Sequence, residues 1–379
     1  MMYVPAWPGL SPRDVLSSDG RKERPFPLKA GQGTYFYMAR NGIYHLLRVL
    51  GFHAGETVLV PDYHQGVEVQ AIRAAGASIC YYAVNRHLEP DLDEVARLCR
   101  SSPRALYVIH FLGWPQPIAE LAALCRERGI MLIEDCALAL LSAAGRRPLG
   151  TFGHYAIFCL YKTLPVPNGA LLVQNAEVRE DLTRLALRSC SLTSVGGRSL
   201  ELVLERIRGR SDRLGRALGL PKKALVRVLN ALGVKRVPAG TAEFDLAHAD
   251  LDMSPLCHRL LGRFDYERIR QKRRDNFLLL QDTLSGRVTF LRKELGEGVC
   301  PLFLPLLVPD SRSAARALRQ RGIGALAWWS SAAPGTNREA PSDSQFLRDH
   351  LLGLPIHQDV TRSQVEYVAG QVSSLGLSF

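Results

Sequence analysis

From residue 38 to about residue 175 the chain alternates two kinds of hydrophobic pattern. Short, continuously apolar runs bounded by turn residues predict buried strands at Val58–Pro61, Ser78–Ala83, Ala105–Phe111, Ile130–Glu134, Tyr155–Leu160 and Gly169–Gln174. Between them, apolar positions at helical spacing predict helices over Asn41–Leu50, Gly66–Ala75, Leu92–Arg100 and Ile118–Arg128. Gly129 follows the last helix where a C-terminal cap is needed. Strands that are apolar along their whole length are covered on both faces, and strands alternating with helices pair in parallel. This half therefore reads as an α/β unit, a mostly parallel sheet sandwiched by helices. Ligands of such sheets collect at the carboxyl ends of the strands.

The pattern changes after residue 175. Residues 176–250 show long helical periodicity and no strand, then IRQKRRDNFLLLQDTL predicts a further helix. A strand at Leu302–Leu307 and helices at Ser313–Arg321 and Gln364–Ser374 follow. The predicted organisation is a large α/β domain over 1–250, with a basic helical insertion at about 190–250, and a smaller C-terminal α+β domain over 251–379.

Composition narrows the class. With 379 residues, 47% of them hydrophobic, the chain can bury a large core, which excludes disorder and a disulfide-stapled miniprotein. None of the eight cysteines forms a Cys-x-x-Cys pair, so no metal site is expected. Several sit in apolar runs as small hydrophobes, which suits a reducing cytoplasm. MMYVPAWPGLSPRD has no basic-then-apolar signal pattern, and no run of 18 uncharged apolar residues occurs. A soluble, cytoplasmic protein is expected.

The net charge of +12 raises nucleic acid, anionic membranes and phosphorylated molecules as partners. Much of the excess is local: residues 198–236 hold eleven basic and three acidic side chains. That stretch contains no aromatic residue for base stacking, so nucleic acid is not expected. Its apolar residues recur at helical spacing, as in an amphipathic insertion docked on the rest of the chain. Peripheral contact with an anionic membrane or acidic partner is the sharper alternative.

Three clusters carry candidate chemistry. Asp135 ends the apolar run LIED, where an ionised acid needs a partner; the plainer alternative is a helix cap. Lys162 follows the strand AIFCLY and precedes a Pro-Val-Pro-Asn-Gly turn. Desolvation there favours the free amine, a nucleophile and Schiff-base former, although a snorkelling surface lysine also fits. Arg40, Asn41 and Gly42 head a helix, where free N–H groups and a cation suit an anion. A buried Asp, a strand-end Lys 27 residues later and an upstream anion cradle together are what pyridoxal 5'-phosphate requires.

With these residues the chain resembles the DegT/StrS family of sugar aminotransferases. The resemblance runs through ARNGIYHLLRVLGFHAGETVLVP, RERGIMLIEDCALAL and GTFGHYAIFCLYKTLPVPNGALLV, and less closely through LLVPDSRSAARALRQRGI and LGLPIHQDVTRSQVEYV. It implies the fold type I architecture of PLP-dependent transferases, with Lys162 as the Schiff-base lysine and Asp135 as partner of the pyridine nitrogen. It places Arg40, Asn41 and Gly42 at the phosphate loop and Cys159 where many relatives have Ser. His64 falls in the loop that usually supplies a ring stacked on the cofactor, a solvated loop histidine being the alternative. The implied activity is amino transfer from a donor, glutamate by resemblance, to a keto-sugar or related small ketone, within a homodimer.

Several departures separate the chain from that pattern. Ser-Phe-His-Pro-Thr-Lys is reduced to Cys-Leu-Tyr-Lys, the Gln after the acidic strand is Leu138, and Gly-Glu-Gly-Gly is Pro167-Asn168-Gly169-Ala170. An Asn-x-Arg around residues 250–256 is absent. These keep open a non-catalytic or regulatory protein on the same fold. Another PLP reaction such as dehydration is the other alternative, but related dehydratases replace the lysine by His. Trp328-Trp329 suits either sugar stacking or domain packing, and His110 either the site or a structural hydrogen bond.

Overall fold

The computed structural model describes residues 2–12, 14, 23–212, 214, 217, 237, 240, 243–330 and 342–379. The strands of the large sheet are β1 (Gly33–Phe36), β2 (Thr57–Pro61), β3 (Ser78–Tyr82), β4 (Ala105–Ile109), β5 (Met131–Asp135), β6 (Tyr155–Cys159) and β7 (Ala170–Gln174). Their order is β1-β7-β6-β5-β4-β2-β3. All neighbouring pairs are parallel except those of β7, which runs antiparallel to β1 and β6. Strands β4, β6 and β7 are buried at every position, as continuous apolar runs demand.

Helices α1 (Ala39–Val49), α2 (Val67–Ala74), α3 (Leu92–Leu98) and α4 (Ile118–Arg128) connect the strands close to their expected positions. Asp91 caps α3 by accepting from the N–H groups of Asp93 and Glu94, and Gly129 ends α4 at φ +66°. Strand β1 lies outside the predicted set. Its four residues, GTYF, are too short for periodicity to register, and pairing to β7 makes them a strand.

In the second half, α5 (Leu192–Arg210) and α6 (Tyr266–Leu284) precede a four-stranded antiparallel sheet. Its strands β8 (Thr289–Phe290), β9 (Phe303–Leu307), β10 (Leu326–Ala327) and β11 (Leu351–Pro355) follow the order β8-β9-β11-β10. Helices α7 (Ser311–Gln320), α8 (Asp343–His350) and α9 (Arg362–Ser374) complete it. The N-terminal strap reaches this region, with Val4 bridged to Ile323.

The described half of the basic stretch docks on the rest of the molecule. Leu202 is buried and its carbonyl accepts from the N–H of Leu10. Gly9 passes so close that an added Cβ would lie 2.6 Å from Arg206 backbone atoms. Leu192, by contrast, is 86% exposed. The remaining basic and apolar residues invoked up to 236 lie outside the described residues.

Arg273 joins the two halves next to the candidate lysine. It is fully buried and donates to the carbonyls of Thr163 (3.1 Å) and Leu302 (3.2 Å) and to Gln358 Oε1 (3.0 Å). Burial lowers its pKa to about 10, and it stays charged at neutral pH. Thr163 follows Lys162, so this fork fixes the turn that carries the amine against the C-terminal sheet.

Candidate active site

The carboxyl ends of β4, β5 and β6 open onto one cavity of about 320 Å³, within the range of small-molecule sites. Asp135 is the last residue of β5, and Lys162 sits in the tight turn directly after β6. Both line the cavity, together with Arg40 and Cys159. Among the described residues, none forms an ion pair with the half-buried Lys162 ammonium.

Asp135 is held rigidly. The Tyr107 hydroxyl donates to its Oδ2 at 2.6 Å, and the Ala137 N–H donates to its Oδ1 at 2.8 Å. Burial pushes the carboxyl up from its ordinary value, against those two bonds and the charge of Lys162. Tyr107 itself is fully buried on β4 and was invisible in the sequence, where it is one apolar letter of ALYVI.

Arg40 stands in the first turn of α1, and its guanidinium reaches the Glu243 carbonyl and the Tyr161 hydroxyl. Asn41 and Gly42 lie elsewhere: neither lines the cavity. Asn41 Nδ2 donates to the His248 carbonyl at 2.9 Å. Gly42 packs against the sheet, where an added Cβ would meet Ile157 Cδ1 at 2.6 Å. Helical geometry explains the split: at about 100° per residue Ala39, Arg40 and Ile43 share the face toward the cavity, and Asn41 and Gly42 fall on the other side.

His64 is also placed outside the cavity lining. It is fully buried and stacked on Tyr81, with ring centroids 5.5 Å apart and planes 4° apart. Burial, then the charges of Arg348 and Arg73, lower its pKa to about 3, so the ring is neutral. Its neighbour Gln65 faces the cavity instead. His110 is structural: its Nδ1 accepts from the Gln116 N–H, so Nε2 carries the proton toward Glu134 Oε2 at 3.1 Å. His110, Glu134 and Cys136 lie close enough together to suggest metal ligands. Glu134 already accepts from the N–H groups of Gly150, Phe152 and Gly153, which fills its acceptor sites.

Glu68, Trp7 and Arg198 also line the cavity, and none of them was a candidate in the sequence. Glu68, in the first turn of α2, looks like an ordinary acidic helix start, yet it is buried in the wall. Its Oε1 accepts from the Gln65 N–H at 2.8 Å. Trp7 arrives from the N-terminal strap, which no local pattern announces. Arg198 comes from α5, so the basic stretch contributes to the site.

Burial raises the Glu68 pKa above its ordinary value of 4.5, Asp135 adding to the rise and Lys162 opposing it. The folded chain therefore binds this proton more tightly than the unfolded chain. The resulting penalty is absent below about pH 4.5 and grows as pH rises through the folded-state value. Glu68→Gln should accordingly raise the thermal midpoint by about 2 °C at pH 7 and by nothing at pH 4. Melts across that range check it; an equal gain at both ends would refute the charge argument.

The donor set suits pyridoxal phosphate: an amine for the aldehyde carbon, a buried acid for the ring nitrogen, and a cation at a helix N-terminus for the phosphate. The cavity is also large enough for it.

Residues 39–204 match the DegT/DnrJ/EryC1/StrS aminotransferase family. A dTDP-4-dehydro-2,3,6-trideoxy-D-glucose 4-aminotransferase from Saccharopolyspora spinosa is 29% identical over 189 residues, 49% of each chain. A GDP-perosamine synthase from Vibrio cholerae is 30% identical over 135 residues, 35% of this chain and 37% of the relative. The chain thus spans about half the length, or less, of these curated relatives. Among solved structures, the aminotransferase TlmJ from Streptoalloteichus hindustanus superposes with a TM-score of 0.70 at 21% identity, covering 100% of this chain and 99% of the other. The PMP form of the sugar aminotransferase Spr1654 from Streptococcus pneumoniae gives 0.71 at 14%, covering 99% and 98%. The fold is that of these aminotransferases, as the mostly parallel sheet and smaller C-terminal unit led one to expect.

Proposed function

We propose that this chain, which matches the DegT/DnrJ/EryC1/StrS aminotransferase family through residues 39–204, is a pyridoxal-phosphate-dependent aminotransferase that passes an amino group from a donor to a keto-sugar or related small ketone. The observation that carries this reading is Lys162 and Asp135 in one cavity, with Arg40 at a helix N-terminus beside them. Retention of the lysine favours amino transfer over a non-catalytic protein on the same fold.

When bound, pyridoxal phosphate supplies the electron sink that makes nitrogen transfer between two carbons accessible. Lys162 Nζ would hold the cofactor in place and, once released, take a proton and return it. Asp135, oriented by Tyr107 and Ala137, would keep a proton on the ring nitrogen. Arg40 would neutralise the phosphate, and the leucine, valine and tryptophan walls would exclude water. Cys159 lines the wall with a thiol whose pKa burial raises, so it packs as a neutral group.

Glutamate is the proposed donor. The relatives named above suggest a nucleotide-linked keto-sugar as acceptor. We place the working unit in a homodimer, with the large domain over 1–250 and the small one over 251–379. No helix among the described residues is long and apolar enough to cross a membrane. Protein loaded with cofactor should release 2-oxoglutarate from glutamate in about one equivalent per site without any acceptor. Failure with every common amino donor would overturn the reading.

A further inference from the structure

Three of the four tryptophans of the chain line this one cavity: Trp7, Trp328 and Trp329. With Leu326 and Ala327 they make up a wall that offers a ligand no charged side chain. The one polar atom of Trp328, its Nε1, is buried against Gly353, where an added Cβ would stand only 2.2 Å away. Groups able to bind oxygen or charge come from other elements, among them Arg40 from α1, Lys162 from the turn after β6 and Arg198 from α5.

The wall is built rather than incidental. Phe303 supports both Trp7 and Trp328 edge-on, at 5.1 and 5.4 Å between ring centroids. Trp328 and Trp329 meet at 77°, so they form a corner rather than a stack. Trp329 has φ +44°, a left-handed conformation that a bulky residue rarely adopts. Its carbonyl is held there by Arg348 Nη1 at 2.9 Å, and the Trp328 carbonyl by the Tyr63 hydroxyl at 3.1 Å. Strained backbone that its surroundings over-determine is a mark of functional sites. Trp7 and Trp329 remain half-buried, with ring surface left for a ligand.

We infer that Trp7, Trp328 and Trp329 form the subsite for the acceptor's ring, and that this corner selects a ring with one edge short of hydroxyl groups. Indole faces carry partial negative charge and attract the C–H edges of such a ring. A hydroxyl pressed on an indole face gives up its bond to water and finds no comparable partner on that face, which weakens binding about tenfold per group. The inference rests on the amino-transfer reading only in assigning the ring to the acceptor.

Tryptophan emission of the full chain, with pyridoxal phosphate bound, provides the test. Methyl 2,3,6-trideoxyhexopyranoside and methyl glucopyranoside are titrated to concentrations on the order of 10 mM, where weak single-ring binding registers. The trideoxy glycoside should alter the emission with a half-saturation at least about tenfold lower than that of the hydroxylated one. Trp329→Ala should weaken it about tenfold, and Trp329→Phe less, with the cofactor's visible absorbance unchanged as evidence of folding. Trp7→Leu, on the N-terminal strap, is the second variant should the first misfold. Equal half-saturations, or a Trp329 variant as responsive as wild type, would overturn the inference. Glycoside discrimination with no oxo acid released from any common amino donor would refute the amino-transfer reading and leave the apolar ring subsite standing.

Discussion

Lys162→Ala is expected to yield a folded protein whose amino transfer falls at least about 10³-fold. The expected effect is large because in the proposed role one amine would serve two steps, holding the cofactor and then moving a proton, and no described residue is placed to replace it. Other cavity cations do not substitute. Arg40 is committed to Glu243 and Tyr161, and a guanidinium does not deprotonate near neutral pH. Borohydride treatment of wild type with pyridoxal phosphate should attach one cofactor mass to the peptide containing Lys162 and none to the variant. Labelling of the variant at another lysine, with activity kept, would remove Lys162 from its assigned role. Truncating a half-buried side chain at a strand end costs little stability, so the melting curve should barely move.

Asp135→Asn should cost roughly 10²- to 10³-fold in turnover while leaving the fold intact. Asn has the same shape and can still accept from Tyr107 or Ala137, but it cannot keep a proton on a ring nitrogen as a carboxylate does. Stability should move the other way. Burial raises the Asp135 pKa above its ordinary value, so its charged form is a penalty of the folded state that appears as pH rises through the raised value. Removing that charge should leave the melting temperature at pH 7 unchanged or higher, and the difference should shrink toward pH 3. An activity loss accompanied by a lower melting temperature at pH 7 would assign Asp135 a structural part instead. A variant as active as wild type would end the proposed role.

Arg273 shows why remote residues bear on this chemistry. It has no carboxylate partner among its bonds, and its charge is spread over the carbonyls of Thr163 and Leu302 and the side chain of Gln358. Its partners come from three separate parts of the chain, which makes the turn after β6 part of the packing between the two sheets. The position of Lys162 thus depends on a helix more than a hundred residues downstream.

Much of this was legible beforehand because it is written in short-range pattern. Buried strands must be continuously apolar, helices must repeat their apolar face, and the parallel α/β class follows from their alternation. Lys162 and Asp135 were legible for the same reason. Each interrupts or ends an apolar run, and a charge in that setting calls for a chemical explanation. The sequence also set which functional groups are available: one strand-end amine, one strand-end acid, and no paired cysteines.

Tertiary structure alone decided which groups face one another. Asn41 and Gly42 neighbour Arg40 in the chain but turn away from the cavity, since a helix presents each residue to a different side. His64 yielded its expected place to Gln65 because its ring is taken up by Tyr81. Glu68, Arg198 and the tryptophan wall reach the site through contacts spanning up to some 320 residues, from Trp7 to Trp328. Such convergence leaves no local trace, because periodicity reports which side of an element is buried and not what it is buried against.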